Sequence, residues 1–336
     1  MPKFILKSKI NSILKNTGKP PIAEIIFLGT GGAFDLAEKN SSAIIKTAGG
    51  TVLVDCGYTV YQELRAKNLV DSIDCVFITH CHEDHIGSLS TLIYHNFFIS
   101  KKEALHIECV PSLKPRIETY LMDVCGHSEE SFVINANEGN LYEKLNFIVH
   151  KIDTTGLHYE DFPSGGFVFN FRKSGENLFI IYSGDINTPI TDVISENDAE
   201  LYDSLLKKPD NVFVFHESTA RDYPPHYPHC DYKKLEKTAE VFPNIYLFHH
   251  GIEETKLVSK EFKNLNLKYD ALKIAIDKDL NKKLSLVKKY GTKEKIRIQA
   301  KRLKNELYEE LGAATQRTQD LNTLGIELVI QEEMGL

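Results

Sequence analysis

The chain is predicted to fold as a layered α/β domain carrying a mainly helical C-terminal extension. Three observations lead there. Short apolar runs of strand length occur in both halves, with helical spacings between them, as in sheets covered by helices. The apolar runs are interrupted well below the ~18 residues of a membrane span. Finally, 336 residues with 42% hydrophobic and 26% charged side chains suffice for a core and exclude global disorder.

The elements follow in order. A basic leader closes at Pro20-Pro21, and its one early apolar run is Phe4-Ile5-Leu6. A secretory core needs about 7–15 such residues, so a weakly amphipathic helix is expected instead. Residues 22–28 read as a strand that stops at Gly29-Thr30-Gly31-Gly32, a tight turn. Strands at 42–46 and 51–55 form a hairpin around Gly49-Gly50. Residues 60–67 have helical spacing, 75–79 form a buried-type strand, and 87–98 return to a helical pattern. Further strands are expected at 106–110, 147–152, 166–172, 178–182, 212–215 and 245–248. Helices are expected at 112–124 and 231–241. Helix formers dominate from about Lys278, which divides the chain into a domain over 1–282 and an extension over 283–336.

Charge is unevenly distributed. The net charge is −7, yet residues 255–302 hold 15 Lys+Arg against 5 Asp+Glu, a local +10, leaving −17 elsewhere. An acidic main body disfavours broad contact with a polyanion, while the basic stretch leaves RNA open as a partner. Its lysines also stand at helical spacing beside Leu280, Leu284 and Val287, as on an ordinary amphipathic helix with a solvated face. Six cysteines without a C-x-x-C pair read as reduced thiols in a cytoplasmic setting.

The densest chemistry lies in His80-Cys81-His82-Glu83-Asp84-His85, directly after an apolar strand. Alternate residues leaving a strand point the same way, so His80 and His82 can share one ion, while Asp84 and His85 turn toward a second position. Imidazole and carboxylate suit Zn²⁺, and the same N/O ligands accept Mn²⁺ or Fe²⁺. The plain alternative is a solvated loop that is merely rich in histidine.

This H-x-H-x-D-H pattern resembles the metallo-β-lactamase superfamily, and other motifs follow in its order. Phe27-Leu28-Gly29-Thr30-Gly31-Gly32 is similar to the family's opening turn, Leu53-Val54-Asp55-Cys56-Gly57 to its L-x-D-x-G strand, and Tyr182-Ser183-Gly184-Asp185 to its S/T-G-D motif. The resemblance covers roughly residues 22–250 and implies a four-layer αββα sandwich around two divalent metal ions. It implies His80, His82, Asp84, His85 and Asp185 as ligands, with Asp185 bridging and Asp55 steadying the metal loop from behind. The third ligand of the first ion is expected at His158, with His150 and His127 as alternatives. The last is expected at His249, with His250 open.

Phe215-His216-Glu217-Ser218, followed by His229, resembles the RNase Z-like phosphodiesterases of that superfamily. Carried onto this chain, His216 and Glu217 become supporting residues, His229 the general acid, and Asp84 the group orienting an attacking water. The other reading of His216 and Glu217 is the buried end of a strand. One departure is decisive for the substrate. tRNA-processing members carry a long arm between the third histidine and the S/T-G-D motif, and here only a short hairpin around Ser174-Gly175-Glu176-Asn177 joins His158 to Asp185. A small phosphodiester such as a cyclic nucleotide is therefore expected. Tyr223-Pro224-Pro225-His226-Tyr227-Pro228 reads either as an aromatic loop over its base or as a stiff connection. The resemblance also implies pairing of two copies, while the short apolar runs lead to the expectation of no membrane partner. Rival functions are an RNA nuclease of the same fold, a thioesterase- or lactamase-type hydrolase, and a metal-stabilised interaction module.

Overall fold

A computed structural model describes residues 23–35, 38–47, 49–137, 141–142, 145, 147–173, 176–219 and 228–249. The leader, residues 223–227 of the aromatic loop, His250, the basic stretch, the boundary near 282 and the helical extension lie outside the described residues.

Two six-stranded sheets form the centre. The first contains β1 (Ala23–Gly29), β2 (Ser42–Thr47), β3 (Gly50–Val54), β4 (Cys75–Phe77), β5 (Leu105–Glu108) and β6 (Phe132–Asn135), neighbours in that order. β1, β2 and β3 pair antiparallel; β3 to β6 run parallel. The second runs β12 (Asn244–Phe248), β11 (Val212–Glu217), β10 (Glu176–Tyr182), β9 (Gly165–Lys173), β8 (Phe147–Asp153) and β7 (Leu141–Tyr142). Here β7 to β10 pair antiparallel, while β10, β11 and β12 are parallel.

The side-chain period of two explains how the layers stack. In β1, Phe27 faces the other sheet while Ile26 and Leu28 face helices. In β9, Phe167, Phe169 and Phe171 point between the sheets, and Val168 points to the opposite helical layer. Phe77 meets Phe167 and Phe169 edge-on at 5.1 and 5.0 Å, a geometry suited to aromatic quadrupoles. Outside the first sheet lie α1 (Val60–Ala66), α2 (Glu83–Ile86), α3 (Leu89–Tyr94) and α4 (Lys114–Thr119). Outside the second lie α5 (Ile190–Asn197), α6 (Ala199–Leu206) and α7 (Glu236–Val241). Three apolar layers separate four structural ones, so the architecture is the expected αββα sandwich.

Differences from the expected elements are local. β4 ends at Phe77, because Thr79 turns its N–H and hydroxyl onto Asp55 instead of continuing the ladder. The helical stretches after α3 and α4 each end in a wider π-type turn, His95–Ile99 and Tyr120–Val124. β6, β7, α5 and α6 had no individual signal; β7 is two residues long and both helices are eight. Among the described residues no helix is long and apolar enough to cross a membrane, and all six cysteines are free.

Candidate metal centre

The site lies where loops leave the ends of both sheets. His80 follows β4, His82 immediately precedes α2, Asp84 and His85 lie in α2, Asp185 follows β10, and His249 follows β12. His158 stands in the loop between β8 and β9. Two glycines let these loops meet. A Cβ on Gly57 would stand 1.9 Å from the Asp84 carbonyl oxygen. Gly184 has φ +61°, and a Cβ there would stand 2.8 Å from the Gly165 carbonyl oxygen, so L-x-D-x-G and S-G-D need their glycines sterically.

Two donor groups result. In the first, His82 Nδ1 lies 3.0 Å from His80 Nε2 and 3.1 Å from His158 Nε2. An imidazole nitrogen carries one proton or one lone pair. Three of them converging on one point cannot satisfy each other, but they can share a cation. In the second, His249 Nε2 lies 3.2 Å from Asp84 Oδ2 and 3.3 Å from His85 Nε2. Asp185 joins the two: its Oδ2 is 3.3 Å from His249 Nε2 and 3.9 Å from both His80 Nε2 and His158 Nε2. Its Oδ1 is buried with no hydrogen-bond partner among the described residues.

Electrostatics agree with this donor set. Burial holds His80 well below the usual histidine range and His158 at about 4, so both rings present lone pairs. Burial would lower His85 too, but Asp185, Asp84 and Asp55 around it raise it well above that range. Burial opposes ionisation of Asp84 and Asp185, yet neighbouring histidines keep both lowered. Among the described residues these carboxylates pair only with histidines. Such concentrated buried negative charge calls for cations, and the residues present fit two divalent ions.

The outer nitrogens are held as well. Asp55, with φ +60°, accepts from Thr79 N at 2.9 Å and contacts His85 Nδ1 at 2.8 Å. His158 Nδ1 lies 3.0 Å from the Pro228 carbonyl oxygen, to which it donates. The His249 N–H donates to the Thr30 carbonyl at 2.7 Å, tying the opening glycine turn to the site. His127 and His150 belong to no donor group; His127 instead meets Ser90 Oγ at 2.8 Å.

Successive residues of β11 point to opposite faces. Glu217 faces the site: its buried Oε1 accepts from Ile186 N and Cys230 N at 3.0 and 2.9 Å, and Oε2 lies 3.3 Å from His229 Nδ1. It thereby pins the loops of both Asp185 and His229. His216 donates from Nδ1 to the Glu217 carbonyl at 2.6 Å and accepts from Ile190 N at 3.0 Å. Both nitrogens are spent on backbone, so His216 fixes the start of α5 and the end of the Asp185 loop without touching the donor groups.

Burial pushes the His216 pKa down to about 4. The folded value lies below the ordinary 6.5, so the unfolded chain binds the proton first as pH falls. This stability is present above pH 6.5 and is lost between there and pH 4. In chelator, the ring should remove about 2 kcal/mol between pH 7 and 5. Urea unfolding should show a shallower loss in His216→Gln; an identical loss would place the titration elsewhere.

The profile of the family described as Anti-Pycsar protein Apyc1 matches residues 23–267. A Ribonuclease Z of Methanosarcina mazei is 33% identical over 133 residues, 39% of this chain and 44% of that protein. The Anti-Pycsar protein Apyc1 of Bacillus phage 010DV004 is 40% identical over 78 residues, 23% of this chain and 30% of that protein. The chain thus spans less than half the length of these curated relatives. YhfI of Bacillus subtilis, a metallo-β-lactamase fold protein, shows a TM-score of 0.52 at 18% identity over 68% of this chain and 87% of its own. The short form of human tRNase Z shows 0.50 at 21% identity over 68% of this chain and 93% of its own. These likenesses establish the metallo-β-lactamase fold. With that fold in place and the family profile matched over well over half of its 336 residues, the chain belongs to the Anti-Pycsar protein Apyc1 family.

Proposed function

We propose that the chain is a metal-dependent hydrolase of phosphodiesters, acting on small substrates such as cyclic nucleotides. The observation that carries this reading is the pair of donor groups sharing Asp185. His80, His82 and His158 would hold one ion and Asp84, His85 and His249 the other, with Asp185 between them. Zn²⁺ suits the set best, and Mn²⁺ or Fe²⁺ can take its place. Bound ions supply Lewis acidity toward a phosphate and a water.

The chain's own groups do the rest. Asp84, on the side of His249, orients the water. His229 is one-fifth exposed and faces Glu217 Oε2 through Nδ1, and it would deliver a proton to the departing oxygen. Glu217 holds that ring and both flanking loops.

A small substrate is supported by the short β9–β10 connection. Lys173 pairs directly with Glu176, so two residues close the hairpin where an RNA-binding arm would need many. The family profile and the Ribonuclease Z relatives support phosphodiester chemistry. They also keep RNA as the second reading, with the basic stretch 255–302 as its contact. Steep salt dependence of RNA binding, lost on deleting 283–336, would favour it.

The full chain should be screened with Zn²⁺ and Mn²⁺ against bis(p-nitrophenyl) phosphate and a panel of 3′,5′- and 2′,3′-cyclic nucleotides. Turnover of at least one diester, abolished by chelator, is expected. Hydrolysis of a thioester with no turnover of any diester would overturn the reading.

A further inference from the structure

A ligand imidazole needs its plane fixed, usually by a hydrogen bond to the nitrogen facing away from the metal. Three of the four histidines nearest the H-x-H-x-D-H loop have one. His80 Nδ1 meets Thr79 Oγ1 at 3.1 Å, His85 Nδ1 meets Asp55, and His158 Nδ1 meets the Pro228 carbonyl. His82 differs. Its Nδ1 faces the donor group, and no hydrogen bond reaches its Nε2 among the described residues. It is also half-buried, whereas His80 and His158 are buried.

Its ring is held by stacking instead. Phe162, in the loop between His158 and β9, lies 4.6 Å from the His82 ring centroid at 28°, and 6.1 Å from the His80 ring, edge-on. Over Phe162 stands Arg116 of α4, its guanidinium carbon 4.6 Å from the ring centroid. The exposed arginine favours the negative face of the ring and ties the His158 loop to α4.

We propose that Phe162, clamped by Arg116, is a positioning residue that aims His82 Nδ1 in place of the missing hydrogen bond. The inference rests on His82 being a metal ligand, as put forward above. It explains why an aromatic residue and a distant arginine meet beside the least buried histidine of the first donor group. Neither belongs to the motifs that carry the fold.

The test uses the full-length protein, stripped of metal and titrated with Zn²⁺ against a chelating indicator, and with Co²⁺ followed by its visible absorption. Phe162→Leu should weaken the binding of one of two ions by about ten- to a hundred-fold, the usual effect of removing an outer partner, and alter the Co²⁺ band. Phe162→Tyr keeps the ring and should restore both. Arg116→Gln, on an exposed side chain, should give a smaller loss in the same direction, and Arg116→Lys should recover part of it. Unchanged Zn²⁺ affinity and Co²⁺ absorption in both Phe162→Leu and Arg116→Gln would overturn the proposal. Should Phe162→Leu not fold, an unchanged Arg116→Gln alone does so. His82→Ala separates the two layers of inference. If it binds two ions with full affinity, the ligand assignment itself fails; if it loses one ion while Phe162→Leu does not, only the positioning role fails.

Discussion

Asp185→Ala should lower bound divalent metal from close to two ions per chain and reduce kcat/KM on a phosphodiester by about 10²–10³-fold or more. Among the described residues, Asp185 is the only one whose carboxylate lies within 4 Å of ring nitrogens in both donor groups. Deleting it would remove the anion placed between the two proposed ion positions, and among the described residues no other carboxylate takes that place. Asp84, the next carboxylate, pairs among the described residues with His85 and His249 alone. Metal analysis after gel filtration provides the check. Full occupancy by two ions in Asp185→Ala would remove the bridging role, whatever happened to activity. Asp84→Ala should instead lose chiefly the ion on the His85 and His249 side.

The second large effect concerns stability. Glu108 ends β5 and Lys151 lies in β8, so their pair connects the two sheets at 2.7 Å with both side chains fully buried. Asn135, ending β6, completes the arrangement: it donates from Nδ2 to Glu108 Oε1 at 2.8 Å and accepts from Lys151 Nζ at 2.8 Å. Lys151→Met would leave the Glu108 carboxyl between the sheets without its counter-ion, at a cost of about 3–5 kcal/mol. Glu108→Leu combined with Lys151→Met should recover most of that, since a buried pair competes poorly with well-packed apolar groups. Urea unfolding of the metal-free protein measures both. A loss below about 1 kcal/mol in the single variant would mean that water reaches the pair.

Neither partner of this pair announced itself. Lys151 sits in the strand pattern Phe147-Ile148-Val149-His150-Lys151-Ile152 and Glu108 in Leu105-His106-Ile107-Glu108. Glu108 alternates with Leu105 and Ile107 and so reads as an outward residue, whereas Lys151 is in phase with Phe147 and Val149, and only the stacking of two sheets encloses both. The proposed metal donors were legible for the opposite reason. Five of the seven stand in two compact motifs whose spacing the local backbone preserves. His158 and His249 are weaker signals, each one of several competing histidines, and loop geometry brings both beside the other candidate donors. His249 adopts φ +66° and donates its N–H to Thr30, 219 positions earlier in the chain.

Sequence alone determined the layered α/β class, most strand positions, the histidine–aspartate cluster and the short link between His158 and Asp185. All of these depend on periodicity or spacing along the chain, which side-chain size and backbone sterics impose locally. Tertiary structure decided what depends on separate segments meeting. It divided the apolar residues into three layers, brought Asp185 between two groups of imidazoles, and turned His216 to the backbone of α5. It also placed Phe162 and Arg116 over His82. Contacts of that kind are set by how the sheets pack and where their loops converge, and no local pattern of residues encodes them.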